Sequence, residues 1–368
     1  MSSSTQKEIK VGILGATGTV GQRFIQLLST HPYFRLHALG ASSRSAGQTY
    51  AAATKWKLAT PIPEEVAGMV VSECDPSVEA FGECGVVFSG LDEKVGEIED
   101  AFRRANLVVF SNAKNYRRDS LVPLIVPTVN PSHLSVVRAQ QASLSLSKGY
   151  LVTNANCSTT CIVVPLRALE LAFGPLKTVM VTTLQAISGA GYPGVSSLDI
   201  LDNVVPYIGG EEEKIEWETN KILGGVTDGD DGFDLHAAGP GPINVSAHCN
   251  RVPVIDGHTA CVSVAFQSGT KPSVEEVKKV LKGYKAEVVE LGCPSAPKES
   301  IVLHEAQDRP QPRLDKDLYA GAAVHVGRVR ECNVLDIKFV CMLDNVRLGA
   351  ATSSVINAEY AVVKGFIQ

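Results

Sequence analysis

Hydrophobic and polar positions fall into two textures along the 368 residues. In the first half, short continuous apolar runs at 9–14, 34–39, 86–90 and 107–111 alternate with helical spacing, as in Phe24, Leu27 and Leu28 and again over 97–104. Apolar runs of that length separated by helices predict strands buried on both faces of a parallel sheet. Past residue 176 the runs lengthen and become β-branched, at 178–187, 243–254, 258–266 and 333–342. Glycine- and proline-rich loops at 188–194 and 227–242 separate them, with a helix over 273–284. This pattern predicts a large, mainly antiparallel sheet. Residues 349–366 predict a terminal helix, and no internal repeat is present.

The first strand runs directly into Gly15-Ala-Thr-Gly18-Thr-Val-Gly21 and then a helix. The spacing is GxxGxxG rather than GxGxxG, so the strand, turn and helix context carries more weight than the motif itself. Such a turn lets the backbone approach a pyrophosphate resting on the helix N-terminus. The first half therefore reads as a Rossmann-type, doubly wound α/β domain, with Gly15, Thr17, Gly18, Thr19 and Val20 as cofactor-binding residues. The second strand ends in Gly40-Ala-Ser42-Ser43-Arg44, with no acid there for a ribose 2′-hydroxyl. Two hydroxyls and a guanidinium suit a 2′-phosphate instead, which favours NADP. Later strands end in Ser89-Gly90 and in Ser111-Asn112-Ala-Lys114, at the ligand-facing edge of such a sheet.

Cys157 lies in Asn154-Ala-Asn-Cys157-Ser-Thr-Thr-Cys161, between an apolar run at 150–153 and a helix-capable segment through Leu166. A thiol at a helix start meets outward-pointing N–H groups and the helix dipole, which lower its pKa and make it a nucleophile. Two polar islands interrupt the second half. Glu211-Glu-Glu-Lys214 opens a helix with acids in its first turn, and Cys249-Asn-Arg251-Val-Pro-Val-Ile-Asp-Gly257-His258 sets an arginine and a histidine around an Asp-Gly turn. His258 is a candidate general base for the thiol.

Composition narrows the field. A net charge of −5 and a pI near 5.9 leave no basic stripe for nucleic acid. The N-terminus lacks a signal-peptide core, and no apolar run approaches the ~20 residues that span a bilayer. Nine cysteines form no CxxC pair, and no His or Cys pair near Cys157 and Cys161 completes a zinc site. The expectation is a cytoplasmic protein with free thiols, no metal, no nucleic acid and no membrane partner.

Together GATGTVGQRF, SNAKNYR, NANCST, EEEK and CNRVPVIDGHT resemble aspartate-semialdehyde dehydrogenases, most closely their fungal and archaeal branch, over nearly the whole chain. The resemblance implies a glyceraldehyde-phosphate-dehydrogenase-like architecture. The NADP-binding domain would comprise 1–156 with 349–368, and an α+β catalytic and oligomerisation domain 157–348. It implies Cys157 as nucleophile, His258 as general acid/base and Gln185 as the residue ordering the catalytic centre. Arg251 would grip the substrate α-carboxylate, Glu211 its α-ammonium, and Lys114 and Lys214 the phosphate, with Asn112 beside them. Several bacterial members carry an arginine in place of Lys114. Ser42, Ser43, Arg44, Ser89, Gly90, Ser188, Gly189 and Asn345 complete the cofactor site, and Gly349 lies in the segment closing over the nicotinamide. The reaction implied interconverts aspartate 4-semialdehyde plus phosphate with 4-aspartyl phosphate through a cysteine thioester, in a homodimer or homotetramer. Backbone N–H groups around Cys157 would hold the oxyanion. The neighbouring readings are N-acetyl-γ-glutamyl-phosphate reductase, a malonyl-CoA reductase, and a non-catalytic NADP-binding or redox-sensing protein.

Overall fold

The computed structural model describes residues 8–91, 95–237, 241–269 and 271–367. The polar start at 1–7 and part of the loop expected at 227–242 lie outside them. Two compact units emerge, one from the described residues of Met1–Pro123, Leu134–Asn154 and Ser354–Gln368, the other from Leu124–His133 and Ala155–Ser353.

In the first unit, β1 (Ile9–Leu14), β2 (Phe34–Ala41), β3 (Ser72–Glu73), β4 (Val86–Ser89), β5 (Val108–Ser111) and β6 (Tyr150–Asn154) lie in the order β3-β2-β1-β4-β5-β6. Every pairing among these six is parallel. Strands β4 to β6 are buried at every position, as the unbroken apolar runs require. Helices α1 (Thr19–Leu28) and α2 (Gly96–Arg104) bury one face each, α1 through Phe24, Ile25 and Leu28. The core of this unit joins Leu14, Phe81, Val87, Phe102, Val109 and Leu151.

The second unit is built on α3 (Cys157–Phe173), which is buried almost all round. It runs past Leu166 although Pro165 lies inside it. Proline removes one N–H from the helical ladder, and burial of Ile162, Val163, Val164, Leu166 and Leu169 in the core outweighs that loss. Against α3 lie β7 (Leu176–Gln185), α4 (Glu211–Leu223), β8 (Asn244–Arg251), β9 (His258–Phe266), β10 (Ile301–His304), β11 (Val324–Glu331) and β12 (Ile337–Leu343). The strand order is β10-β11-β12-β9-β7-β8. β11-β12, β12-β9 and β9-β7 are antiparallel, while the two edge pairs are parallel. Burial alternates along β7 and β9, so one face is core and the other carries Met180, Leu184 and Cys261 outward. Strands β10 and β11 do not stand out in the sequence pattern, because polar and charged residues such as His304, His325 and Arg328 interrupt them. The terminal helix α5 (Thr352–Val363) follows a π-helical turn at Arg347–Ala351, a local widening found often at functional sites.

Candidate active site

The first unit carries a cavity of about 930 Å³ above the carboxyl ends of its strands. Gly15, Thr17, Gly18, Ser42, Ser43 and Gly90 line it. Gly15 has φ +72°, and a Cβ there would lie 2.9 Å from the Gly90 carbonyl oxygen, so only glycine makes this turn at this spacing. Thr19, Val20, Arg44 and Ser89 are not among its described lining residues. Ser89 is fully buried beneath it. Glu73 and Asp75 line the cavity as well, a pair the sequence reading missed. Glu73 ends a two-residue strand too short to register as a periodic run, and Asp75 lies just beyond it. In the same unit, Asn112 donates to the Ser89 carbonyl at 3.0 Å and accepts from Asn154 Nδ2 at 2.9 Å, while Lys114 is exposed.

The second unit gathers the thiol and the charged residues. Cys157 is the first residue of α3, after the N-cap Asn156. Asn156 Oδ1 accepts from the Ser158 and Thr159 amides at 2.9 and 3.1 Å. Two of the backbone donors expected to hold an oxyanion are therefore already satisfied by the cap. Asn156 is itself held, its backbone N–H donating to Glu218 Oε2 at 2.6 Å and its Nδ2 to Glu211 Oε1 at 2.7 Å. Glu211 also accepts from Gln185 Nε2 at 3.2 Å and from Lys214 Nζ at 3.0 Å. Burial pushes its carboxyl up, but the Lys214 charge and the hydrogen bonds from Asn156, Lys214 and Gln185 outweigh this and hold it below the usual range.

Arg251 is buried at the end of β8, with Nη1 donating to the Ala186 carbonyl at 2.7 Å. Burial lowers its pKa, and the charges of Cys157, Glu211 and Cys249 act against that shift. His258 opens β9 and is 1% exposed. Its Nδ1 accepts the Ala186 N–H at 3.0 Å. A neutral ring bonded this way carries its proton on Nε2. Burial, then the Arg251 charge, push its pKa down to about 3, so the ring is neutral. His258 Nε2 is buried with no hydrogen-bond partner. A Cβ on Gly189 would lie 2.9 Å from that nitrogen and 2.8 Å from Arg251 Nη1, so the two donors flank one bare stretch of backbone. Gly349 packs equally closely on Cys157, its hypothetical Cβ 2.8 Å from Cys157 Cβ. Asn345 ties this region together, donating to Ser188 Oγ at 2.9 Å and accepting from Gly257 N at 2.8 Å.

Of the residues expected from sequence, Cys157, Gln185, Ser188, Gly189, Glu211, Lys214, Arg251, His258 and Asn345 belong to this unit, while Asn112, Lys114 and the glycine turn belong to the other. Asn156, Glu218 and Thr183, which meets Gln185 at 3.3 Å, were not anticipated. Asn156 had a signal, since an asparagine immediately before a helix start is a favoured cap. Cys249 is a free, buried thiol whose pKa burial pushes up to about 11.

A dinucleotide-sized cavity and a thiol at a helix start amid an arginine, a histidine and a carboxylate are the equipment of a semialdehyde dehydrogenase. Residues 10–137 match the family model described as its NAD binding domain, and residues 166–348 match its dimerisation domain. An aspartate-semialdehyde dehydrogenase of Cryptococcus neoformans is 70% identical over 366 residues, 99% of this chain and 100% of that one. The Schizosaccharomyces pombe counterpart is 57% identical, covering 97% and 99%. The crystal structure of aspartate semialdehyde dehydrogenase with NADP from Candida albicans aligns with a TM-score of 0.91 at 51% identity, over 98% of this chain and 100% of that one. This chain belongs to the aspartate-semialdehyde dehydrogenase family.

Proposed function

We propose that the chain catalyses the NADP-dependent reductive dephosphorylation of 4-aspartyl phosphate to aspartate 4-semialdehyde, and its reverse, in the synthesis of lysine, threonine and methionine. The observation that carries the assignment of roles is the buried, unpartnered Nε2 of His258 in one cluster with Cys157, Arg251 and Glu211.

NADP fits the first unit because the glycine turn leaves its backbone bare beside a cavity that also carries Ser42 and Ser43. When bound, the cofactor supplies or accepts the hydride. Residues Gly15, Thr17, Gly18, Thr19, Val20, Ser42, Ser43, Arg44, Ser89 and Gly90, with Ser188, Gly189 and Asn345, would hold it.

Cys157 Sγ attacks the acyl carbon of 4-aspartyl phosphate, and expulsion of phosphate leaves a thioester on Cys157. Reduction gives a thiohemiacetal, whose collapse releases the aldehyde and restores the thiolate. Negative charge develops on the substrate oxygen at each tetrahedral stage. The Ser158 and Thr159 amides are occupied by Asn156, so we assign His258 Nε2–H as the donor to that oxygen. The role differs from proton uptake by His258, because the bond from Ala186 occupies the Nδ1 lone pair and leaves the proton on the other nitrogen. A neutral, buried donor of this kind is preorganised for developing charge. Arg251 binds the α-carboxylate. Three of the acceptor positions of Glu211 are filled by Asn156, Gln185 and Lys214, and one on Oε2 is left for the α-ammonium. Gln185 keeps Glu211 in place, and Lys214, Lys114 and Asn112 receive phosphate.

We assign NADP binding to 1–156 with 349–368 and catalysis and assembly to 157–348. The matched dimerisation domain and the outward face bearing Met180 and Leu184 support a homo-oligomer, which we take to be a homodimer or homotetramer. Among the described residues no helix is long and apolar enough to cross a membrane, and we place the enzyme in the cytoplasm.

The test is NADPH absorbance with aspartate 4-semialdehyde, with and without phosphate, in parallel with NAD⁺. Phosphate-dependent reduction of NADP⁺ is expected. Silence from a folded protein that still binds NADP would transfer the assignment to an acyl-phosphate or acyl-CoA relative whose substrate has no free amine.

A further inference from the structure

His304, His325 and Asp315 come together in the second unit, in residues that the dehydrogenase chemistry does not use. His304 ends β10 and His325 is the second residue of β11. The parallel register sets Val302 against His325 and His304 against Gly327, so both histidines lie on one face of the strand pair. His304 Nε2 is 3.1 Å from His325 Nδ1, and Asp315 Oδ1 is 3.9 Å from His304 Nε2. One ligand atom from each residue lies within 4.8 Å of the others.

We propose that these three side chains form a binding site for a divalent transition-metal ion of the zinc or cobalt(II) type, separate from the catalytic thiol and independent of the dehydrogenase assignment. Two imidazole nitrogens and one carboxylate oxygen are the donor set such ions prefer, whereas calcium and magnesium take oxygen ligands. Metal–nitrogen bonds of ~2.0–2.1 Å put two ligands of a tetrahedral ion about 3.3 Å apart. The histidine pair already has that spacing, and the remaining separations close by at most roughly 1.5 Å. Two imidazole nitrogens in contact must share a proton or a cation between them. Burial disfavours imidazolium, which keeps a lone pair available on each ring.

The surroundings supply orientation and a route in. Asp315 is fully buried, and its Oδ2 accepts from Arg309 Nε at 2.7 Å and from the Gln311 amide at 2.6 Å. Arg309 Nη2 also meets Oδ1, which retains one of its two acceptor positions. His304 is partly exposed and lines an open cavity of about 360 Å³, the side from which an ion would approach, while His325 and Asp315 are fully buried. Two features limit affinity. The Arg309 charge opposes a cation, and His325 Nε2 has no hydrogen-bond partner, so that imidazole lacks the outer bond that usually orients a metal ligand. A bound ion would tie the edge strand β10 and β11 to the one-turn helix Pro312–Asp315.

The experiment is equilibrium dialysis and absorption spectroscopy of the full chain with Co²⁺ alone, comparing the unaltered protein with His304→Gln and Cys157→Ser. His304 is at a strand end and partly exposed, so its replacement does not endanger folding as replacement of the fully buried His325 could. The expected result is one Co²⁺ per chain with ligand-field bands and no thiolate charge-transfer band. Affinity should fall at least about tenfold in His304→Gln and stay unchanged in Cys157→Ser. Binding that survives His304→Gln, a thiolate band lost with Cys157→Ser, or no uptake at millimolar Co²⁺ would each overturn the proposal.

Discussion

The nucleotide cavity and the thiol cluster are built on opposite plans. The cavity owes its shape to missing side chains, at Gly15, Gly18 and Gly90, and to the ends of parallel strands whose own residues are core. The thiol cluster is filled with side chains that hold one another. Glu211 alone receives Asn156, Gln185 and Lys214, while Glu218 fixes the backbone of Asn156 and Ala186 binds both His258 and Arg251. A surface shaped by backbone serves a ligand whose recognised groups are constant. A network of buried charges serves a reaction in which charge appears and disappears, because a prepaid arrangement need not reorganise as the barrier is crossed.

The largest expected effect tests whether the two plans are separable. Cys157→Ser should lower turnover by on the order of 10⁴ or more, as loss of a covalent nucleophile does. NADP affinity, read by fluorescence quenching or calorimetry, should be unchanged within about twofold, a difference worth only ~0.4 kcal/mol. A matching loss of NADP affinity would mean that the thiol cluster and the cavity act as one site in the ground state.

A smaller effect separates the two roles open to His258. If Nε2–H donates a hydrogen bond to the substrate oxygen, His258→Ala should cost about 10²–10³ in kcat, the range for one lost oxyanion donor. His258→Gln, whose amide also donates, should recover about tenfold of that. Equal loss in both variants, with the upper limb of the kcat–pH profile removed, would restore proton transfer as the role of His258.

Sequence conveyed these regions unequally, for a physical reason. The first unit was readable because buried parallel strands are unbroken apolar runs, and a strand–glycine–helix turn has few other uses. Strand β9 was bounded correctly at His258 and Phe266 because its alternation is clean. Cys157 and His258 could be singled out by residue type, but not the bonds that define their roles. The Ala186 N–H that sets the His258 tautomer belongs to a backbone that any residue but proline could supply. Asn156, which takes the amides expected for the oxyanion, is legible in sequence as a helix cap, but its bonds to Glu211 and Glu218 are not. Glu73 and Asp75 escaped notice because the strand that Glu73 ends is only two residues long. Roles fixed by backbone donors and by neighbours distant in sequence have no local signature.

The smallest expected effect concerns acid stability, and it also sets the two units apart. His133 and His258 are buried in the second unit, and burial lowers their pKa values to about 4 and about 3 from 6.5. In the first unit His37 is lowered, by its slighter burial and the Lys10 charge, and stays partly exposed. A histidine with a depressed native pKa takes up its proton more readily in the unfolded chain. Above about pH 6.5 neither state binds that proton, and stability from this source is complete. As pH falls from 6.5 toward 4 the unfolded chain gains protons that the native chain refuses, so stability declines. His236 opposes this trend, because its hydrogen bond to Glu170 raises its pKa and its contribution is fully present at low pH. With His133, His258 and also His325, which burial lowers to about 4, set against one raised group, the second unit should lose protection first. Amide hydrogen exchange, corrected for intrinsic rates, should show β9 losing protection between pH 6.5 and 4.5 while β1 changes less. Equal loss in β1 and β9 would mean that acid acts on the chain as one cooperative body, and the electrostatic difference between the units would then have no separate consequence for stability.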